Sequence, residues 1–267
     1  MIIKTSYANV YKQPSFKSEL ITQGLMWDSV ELIDSKDNWY MIKQWDGYAG
    51  WIHKFYISKE DKNIYDKYYS VPVKLLDIYI NQHKKEIINQ LLFGSNVPIK
   101  SKIRDCLEIY LPNNKIGFII DESGISGELE IREKITEKSK MFLGVPYLWG
   151  GSSAYGFDCS GFVQSILKYF GINFERDTSL QIKNNLIDEI DICSVKKADL
   201  MYFYINNVIN HVGIMIDDKR MIHSSGSILI ESVDEVVNRL ILNKDSKVST
   251  KLFSIERLIE NRNNYDR

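Results

Sequence analysis

The chain has 267 residues, 44% of them hydrophobic and 26% charged, with a formal net charge of −1 at pH 7. That length allows one large domain or two to three small ones, and the proportions are those of ordinary globular protein. So balanced a charge gives no electrostatic case for nucleic acid or an anionic membrane. Three cysteines, Cys106, Cys159 and Cys193, are too few and too scattered for a disulfide framework or a zinc site.

The first residues, MIIKTSYANVYKQPS, lack the apolar core of a signal peptide, and no window approaches a membrane span. The expected location is therefore cytoplasmic.

From Ile3 to about Ile57 the pattern is of short strands: Tyr7–Tyr11, Leu20-Ile21, Ser29–Ile33, Trp39–Gln44 and Tyr48–Ile52, separated by turn residues such as Asp46-Gly47. Their close spacing predicts a small barrel. Trp27, Trp39, Trp45 and Trp51 crowd this one region, and Trp39 and Trp51 are expected in its core. From Lys59 to Ile125 further strands are expected at Val71–Leu76, Ile78–Ile80, Val97–Ile99, Cys106–Leu111 and Ile116–Ile120. The run Lys115-Ile116-Gly117-Phe118-Ile119 repeats the plan of Gly47–Ile52, which suggests a second, degenerate barrel.

Helical periodicity begins at Glu128 and ends at Leu143, before Gly144 and Pro146. The stretch Tyr147–Gln164, YLWGGSSAYGFDCSGFVQ, follows. Its glycine-rich loop leads through Asp158-Cys159-Ser160-Gly161 into an apolar helical pattern running to about Phe170. A cysteine on the first turn of a helix faces unpaired N–H groups and the positive end of the dipole, which favour thiolate. A loop carrying Arg176-Asp177-Thr178-Ser179-Leu180-Gln181 comes next. Strands are then expected at Leu200–Tyr204, Val212–Ile216, Arg220–Ser224 and Ser227–Ser232, with an edge strand over Phe253–Ile259. Helices followed by an antiparallel run form an α+β signature.

A cysteine nucleophile needs a base, and the base an orienter. Of four histidines, His211 and His223 lie on adjacent strands joined through Asp217-Asp218, so a hairpin brings them within hydrogen-bonding reach. Cys159 as nucleophile, His211 as base and His223 as orienter form a sensible set. His53 and His83 are expected to be solvated. The histidine pair offers no third ligand at sensible spacing, so neither a metal nor an organic cofactor is implied.

Residues from about 128 to 260 resemble the NlpC-type cell-wall cysteine peptidases, relatives of the papain fold. The matching elements are Y-x-W-G-G-x-S, G-x-D-C-S-G-F-V-Q, R-D-T-S-x-Q, A-D-L-x-Y-F, H-V-G-I and I-H-S-S, in family order. One departure is Ala198, where the family usually has Gly. The segment ANVYKQPSFKSELITQ…NWYMIKQWDGYAGWIHKFYI resembles the bacterial SH3-like domain. The implied organisation is an SH3-like domain at 1–58, a degenerate second one at 59–126 and an α+β papain-like peptidase domain at 127–267.

The resemblance implies cleavage of the bond from the γ-carboxyl of D-Glu to a diamino acid in peptidoglycan stem peptides. Cys159 would attack, with its own backbone N–H and Tyr147 receiving the oxyanion. Asp158 and Ser160 would hold polar groups of the peptide, and Arg176 and Asp177 would organise the facing loop. The whole arrangement is similar to the γ-D-glutamyl-L-diamino acid endopeptidases of cell-wall recycling, in which the first SH3-like domain selects a free N-terminal L-Ala amine. Glu19, or else Glu31, and Tyr48 match the carboxylate and tyrosine that read it, since a buried ammonium needs a compensating charge. The competing expectations are an exported, wall-anchored autolysin and a catalytically silent wall-fragment binding protein.

Overall fold

The computed structural model describes residues 1–60, 62–123, 129–241 and 247–262. It forms two compact units. One comprises Met1–Gly127 with Trp149–Ala154, the other Glu128–Leu148 with Tyr155–Arg267. The boundary expected at residues 126 and 127, and the helix start expected at Glu128, lie outside the described residues.

In the first unit, β1 (Ile2–Ile3) pairs with β7 (Ile57–Ser58). Between them lie β2 (Tyr7–Tyr11), β3 (Leu20–Leu25), β4 (Glu31–Lys36), β5 (Trp39–Lys43) and β6 (Ala49–His53), in an antiparallel sheet of order β3-β2-β6-β5-β4. Alternation along β2 points Ala8 and Val10 inward, onto Ile3, Val30, Ile42, Ile52 and Ile57. A second antiparallel sheet holds β8 (Tyr68–Ser70), β9 (Leu75–Tyr79), β10 (Ile87–Leu92), β11 (Asn96–Ile103), β12 (Cys106–Leu111) and β13 (Lys115–Ile120), in the order β10-β9-β13-β12-β11-β8.

The core under this second sheet includes Ile2, Met26 and Trp27 from the chain ahead of it. Trp27 is fully buried there and its indole donates to the Tyr110 carbonyl at 3.0 Å. Its backbone sits at φ 71°, a strained position for a bulky residue. The turn is held by the Trp27 amide on Ile3 O at 2.9 Å and by the Leu25 amide on the Asp28 carboxylate at 2.8 Å. Trp39 is buried and Trp51 only half-buried. His53, expected to be solvated, is instead 6% exposed, packed among Phe16, Trp39 and Phe55. Its Nδ1 accepts the Phe55 amide at 3.2 Å, so the ring closes the end of β6.

Also in the first unit is β14 (Ser152–Ser153). The Ser152 amide donates to the Gln23 side-chain carbonyl at 3.0 Å, and the Ser152 hydroxyl donates to the Gln23 main-chain carbonyl at 3.1 Å. Gly150 has φ 72°, and a Cβ there would lie 2.4 Å from the Leu20 carbonyl oxygen. Only glycine lets the loop come this close to β3.

The second unit is α+β. It contains α1 (Ile131–Lys140), β15 (Gly156–Phe157), α2 (Cys159–Tyr169), α3 (Thr178–Gln181), β16 (Asp188–Ile190), β17 (Leu200–Ile205), β18 (Val208–Met215), β19 (Arg220–Ser225), β20 (Ser227–Ser232), α4 (Val233–Leu240), β21 (Val248–Ser254) and α5 (Glu256–Glu260). The sheet order is β16-β21-β17-β18-β19-β20. The strand expected at the edge over Phe253–Ile259 is thus β21, an interior strand that starts earlier, at Val248. Residues 256–260 turn into a helix instead, because Ile255, Leu258 and Ile259 recur at helical spacing. Phe162, Val163, Ile166 and Leu167 of α2 are buried as it packs against β18 and β19. Helix α4 carries a complete capping box of Ser232 and Glu235, and buries Val236 on Met201, Phe203, Met215, Met221 and Leu252. Ala198, the departure from the family pattern, has φ 70°, where glycine would sit without steric cost.

Candidate active site

Helix α2 begins at the cysteine because Asp158 caps it, accepting the Gly161 amide at 2.7 Å. The same carboxylate takes two bonds from the Arg176 guanidinium, 2.9 Å from NH1 and 2.5 Å from NH2. NH1 also donates to the Ser160 hydroxyl at 3.0 Å. Arg176 is only 2% exposed, so its charge is compensated within this cluster. Asp158 and Ser160, assigned from the sequence to the substrate, are therefore engaged in holding the start of the helix. Asp177 precedes α3, whose Gln181 donates to the Ser160 and Glu175 carbonyls and accepts from the Tyr202 hydroxyl.

Cys159 is 9% exposed, its thiol against the backbone N–H groups of Ser160 and Val212. Val212 follows His211 on β18. Burial, with the Asp158 charge, pushes the thiol up to about 12. The two amides and Arg176 pull the other way. The preference for thiolate expected from the helix terminus is thus outweighed by desolvation in the free protein. Burial also takes His211 down to about 3, helped by His223 and Arg239. Burial thus favours the uncharged thiol and the uncharged imidazole in the free protein.

His211 Nε2 lies 2.7 Å from His223 Nδ1. Strand pairing sets this distance. Ile214 pairs with Ile222 and Met215 with Met221, and alternation then points His211 and His223 to the same face. Gly213 lies between them, and a Cβ there would meet Met221 Cε at 1.9 Å and His223 Cβ at 2.9 Å. His223 is fully buried and its Nε2 lies 2.9 Å from Glu231 Oε2. Glu231 in turn accepts from Arg239 of α4 at 2.5 Å. The sequence reading missed both residues. The hairpin through Gly226 places Glu231 opposite Met221, on the same face as His223, so register alone carries that signal.

Tyr147 is half-buried, and its amide donates to Gly226 O at 2.9 Å. Burial, with the charges of Cys159 and Asp158, raises its phenol to about 12, so it stays a proton donor at neutral pH. In the first unit, the Glu19 carboxylate accepts from Trp149 Nε1 at 3.1 Å and from Lys12 at 3.0 Å, and these partners lower its pKa. Glu31, the alternative carboxylate, is exposed and 3.8 Å from Lys43. Tyr48 is half-buried after the Asp46-Gly47 turn, its amide on the Asp46 carboxylate at 3.0 Å. Among the described residues, no three or more His, Cys, Asp or Glu side chains converge as a metal site.

Residues 144–244 match the NlpC/P60 family and residues 6–58 the bacterial SH3 domain. The chain is 27% identical over 227 residues to a gamma-D-glutamyl-L-lysine dipeptidyl-peptidase of Bacillus cereus, covering 78% of this chain and 68% of that protein. It is 32% identical over 184 residues to a protein of the same name from Bacillus subtilis, covering 67% of this chain and 60% of that one. The chain thus spans about two thirds or less of either relative. The crystal structure of an NlpC/P60 family protein from Bacillus cereus superimposes with a TM-score of 0.75 at 22% identity, over 87% of this chain and 94% of the other, a likeness of fold. The capped cysteine helix and the histidine hairpin both lie within the first match, so residues 144–244 form a domain of the NlpC/P60 cysteine peptidase family, preceded in sequence by a bacterial SH3 domain at residues 6–58.

Proposed function

We propose that the protein hydrolyses the γ-D-glutamyl–diamino acid bond of free peptidoglycan stem peptides carrying an N-terminal L-Ala, as a step in cell-wall recycling. The observation that carries this reading is the buried 2.7 Å contact of His211 with His223, on the strand whose next residue, Val212, turns its amide to the Cys159 thiol. Cys159 Sγ attacks the γ-carbonyl as His211 takes the thiol proton. The oxyanion forms at the Cys159 amide with the Tyr147 hydroxyl as second donor. The leaving amine takes the proton from His211, and water, deprotonated by the same ring, cleaves the thioester. The relatives' names support a lysine-containing substrate, so L-Ala-γ-D-Glu-L-Lys is the first peptide to test, and the diaminopimelate peptide the second.

Glu19 and Tyr48 are the groups we assign to the substrate's free amine. Mass spectrometry of the products from free and N-acetylated tripeptide tests both levels of the proposal. Cleavage of the free peptide alone, abolished by Cys159→Ala, is expected. Equal cleavage of the acetylated peptide would overturn the requirement for a free amine, and an active Cys159→Ala enzyme would overturn the nucleophile.

A further inference from the structure

The geometry points to Glu231 as a positioning residue that, braced by Arg239, fixes the proton positions on both histidines and so selects Nδ1 of His211 as the base. This inference rests on the reading of Cys159, His211 and His223 as the catalytic set.

A chain of three contacts carries it: Arg239 to Glu231 at 2.5 Å, Glu231 to His223 Nε2 at 2.9 Å, and His223 Nδ1 to His211 Nε2 at 2.7 Å. Arg239 can only donate. An ionised carboxylate can only accept, and Glu231 is ionised at neutral pH because Arg239 and His223 hold its pKa below the usual range. The proton between Glu231 and His223 must therefore sit on His223 Nε2. A neutral His223 then has a bare Nδ1, which can only accept, so His211 must carry its own proton on Nε2. One lone pair remains on the His211 ring, at Nδ1, and it is the one able to receive the thiol proton. Reversing any single proton would set two donors or two acceptors against each other across a short buried contact.

The carboxylate also contributes charge. When His211 becomes imidazolium, the positive charge is shared along the pair of rings, and Glu231 is the anion that faces it. The charged and titratable groups facing His223 are His211, Glu231 and Arg239. Those bearing on His211 are His223, Arg239 and Glu231, with the Cys159 thiol approached through Val212. Arg239 keeps Glu231 ionised and aimed, and its own positive charge partly offsets the benefit. Removing Glu231 alone therefore leaves His223 facing an unneutralised guanidinium.

The test is nitrogen-15 NMR of the whole chain with labelled histidine, together with kinetics of Glu231→Gln and Glu231→Asp. At pH 7 the wild-type rings of His211 and His223 are expected to carry protons on Nε2 and none on Nδ1. Protonated Nδ1 on either ring overturns the inference without any variant having to fold. Glu231→Gln keeps the shape and loses the charge. Its kcat is expected to fall about 10- to 100-fold, the scale on which loss of a carboxylate behind a functional histidine acts, with KM within about twofold. The histidine-governed limb of its pH profile moves to lower pH, and Glu231→Asp restores part of the rate. Wild-type kcat and an unmoved profile in Glu231→Gln overturn the inference. Because Cys159→Ala separately tests the nucleophile, a dead Cys159→Ala with a fully active Glu231→Gln refutes this inference and spares the catalytic set.

Discussion

The indole of Trp149 donates to the carboxylate of Glu19 at 3.1 Å, across 130 residues of sequence. Glu19 thus has two separable functions to test, one through its shape and one through its charge. Glutamine retains an oxygen able to accept the indole proton but loses the charge proposed to receive the substrate ammonium. Glu19→Gln should raise KM for the free tripeptide about tenfold or more, the scale of a lost charge-assisted bond, with little change in kcat. Steady-state kinetics of the free peptide measure this, and an unchanged KM removes Glu19 from amine recognition.

Arg176 neutralises Asp158 in a setting almost closed to water. Truncation to alanine leaves that carboxylate without its counter-charge next to Cys159. Arg176→Ala should cost about 3–5 kcal/mol of stability by urea unfolding. Lysine offers one point charge in place of a two-pronged donor, and Arg176→Lys should recover only part of the loss.

Gly213 allows the close crossing on which the histidine pair depends. An alanine methyl there overlaps Met221 Cε and presses on His223 Cβ. Gly213→Ala should displace His223, and kcat should drop while the far-UV circular dichroism of the sheet is retained. Wild-type turnover in this variant would show that the His211–His223 distance is not critical.

The buried histidines make stability depend on pH. His211 is held to about 3 and His223 is lowered as well, while the unfolded chain titrates both near the model value of 6.5. Below that value the unfolded state binds more protons than the folded one. The contribution is therefore complete above about pH 6.5 and is lost as pH falls towards 3, with a slope of about 1.4 kcal/mol per pH unit for each excess proton. Urea midpoints between pH 7 and 4.5 should decline, and His211→Gln should flatten the decline. Equal slopes in the two proteins would contradict it.

The candidate site was legible in outline because its geometry is local. Asp158-Cys159 at a helix start and two histidines on one hairpin need only short-range rules. What escaped was set by non-local pairing. Glu231 reads as one more charge on a strand until hairpin register puts it beside His223. Strand β10 escaped because Ile87–Gln90 keep their side chains largely in solvent and show no inward alternation. The polar start of β21, Val248–Lys251, gives no hint that it runs between two other strands. His53 was misjudged because aromatic neighbours distant in sequence cover it.

Trp27 has a consequence for how such chains can be cut and recombined. Its side chain completes a core whose other residues come almost wholly from Tyr69 onward, and Ile2 and Met26 go with it. A fragment ending near residue 58 would expose all three to solvent, and the fragment beginning there would carry a void the size of an indole. The smallest portable amino-terminal module is therefore the pair of sheets, inherited or transplanted together, even though the bacterial SH3 match ends at residue 58.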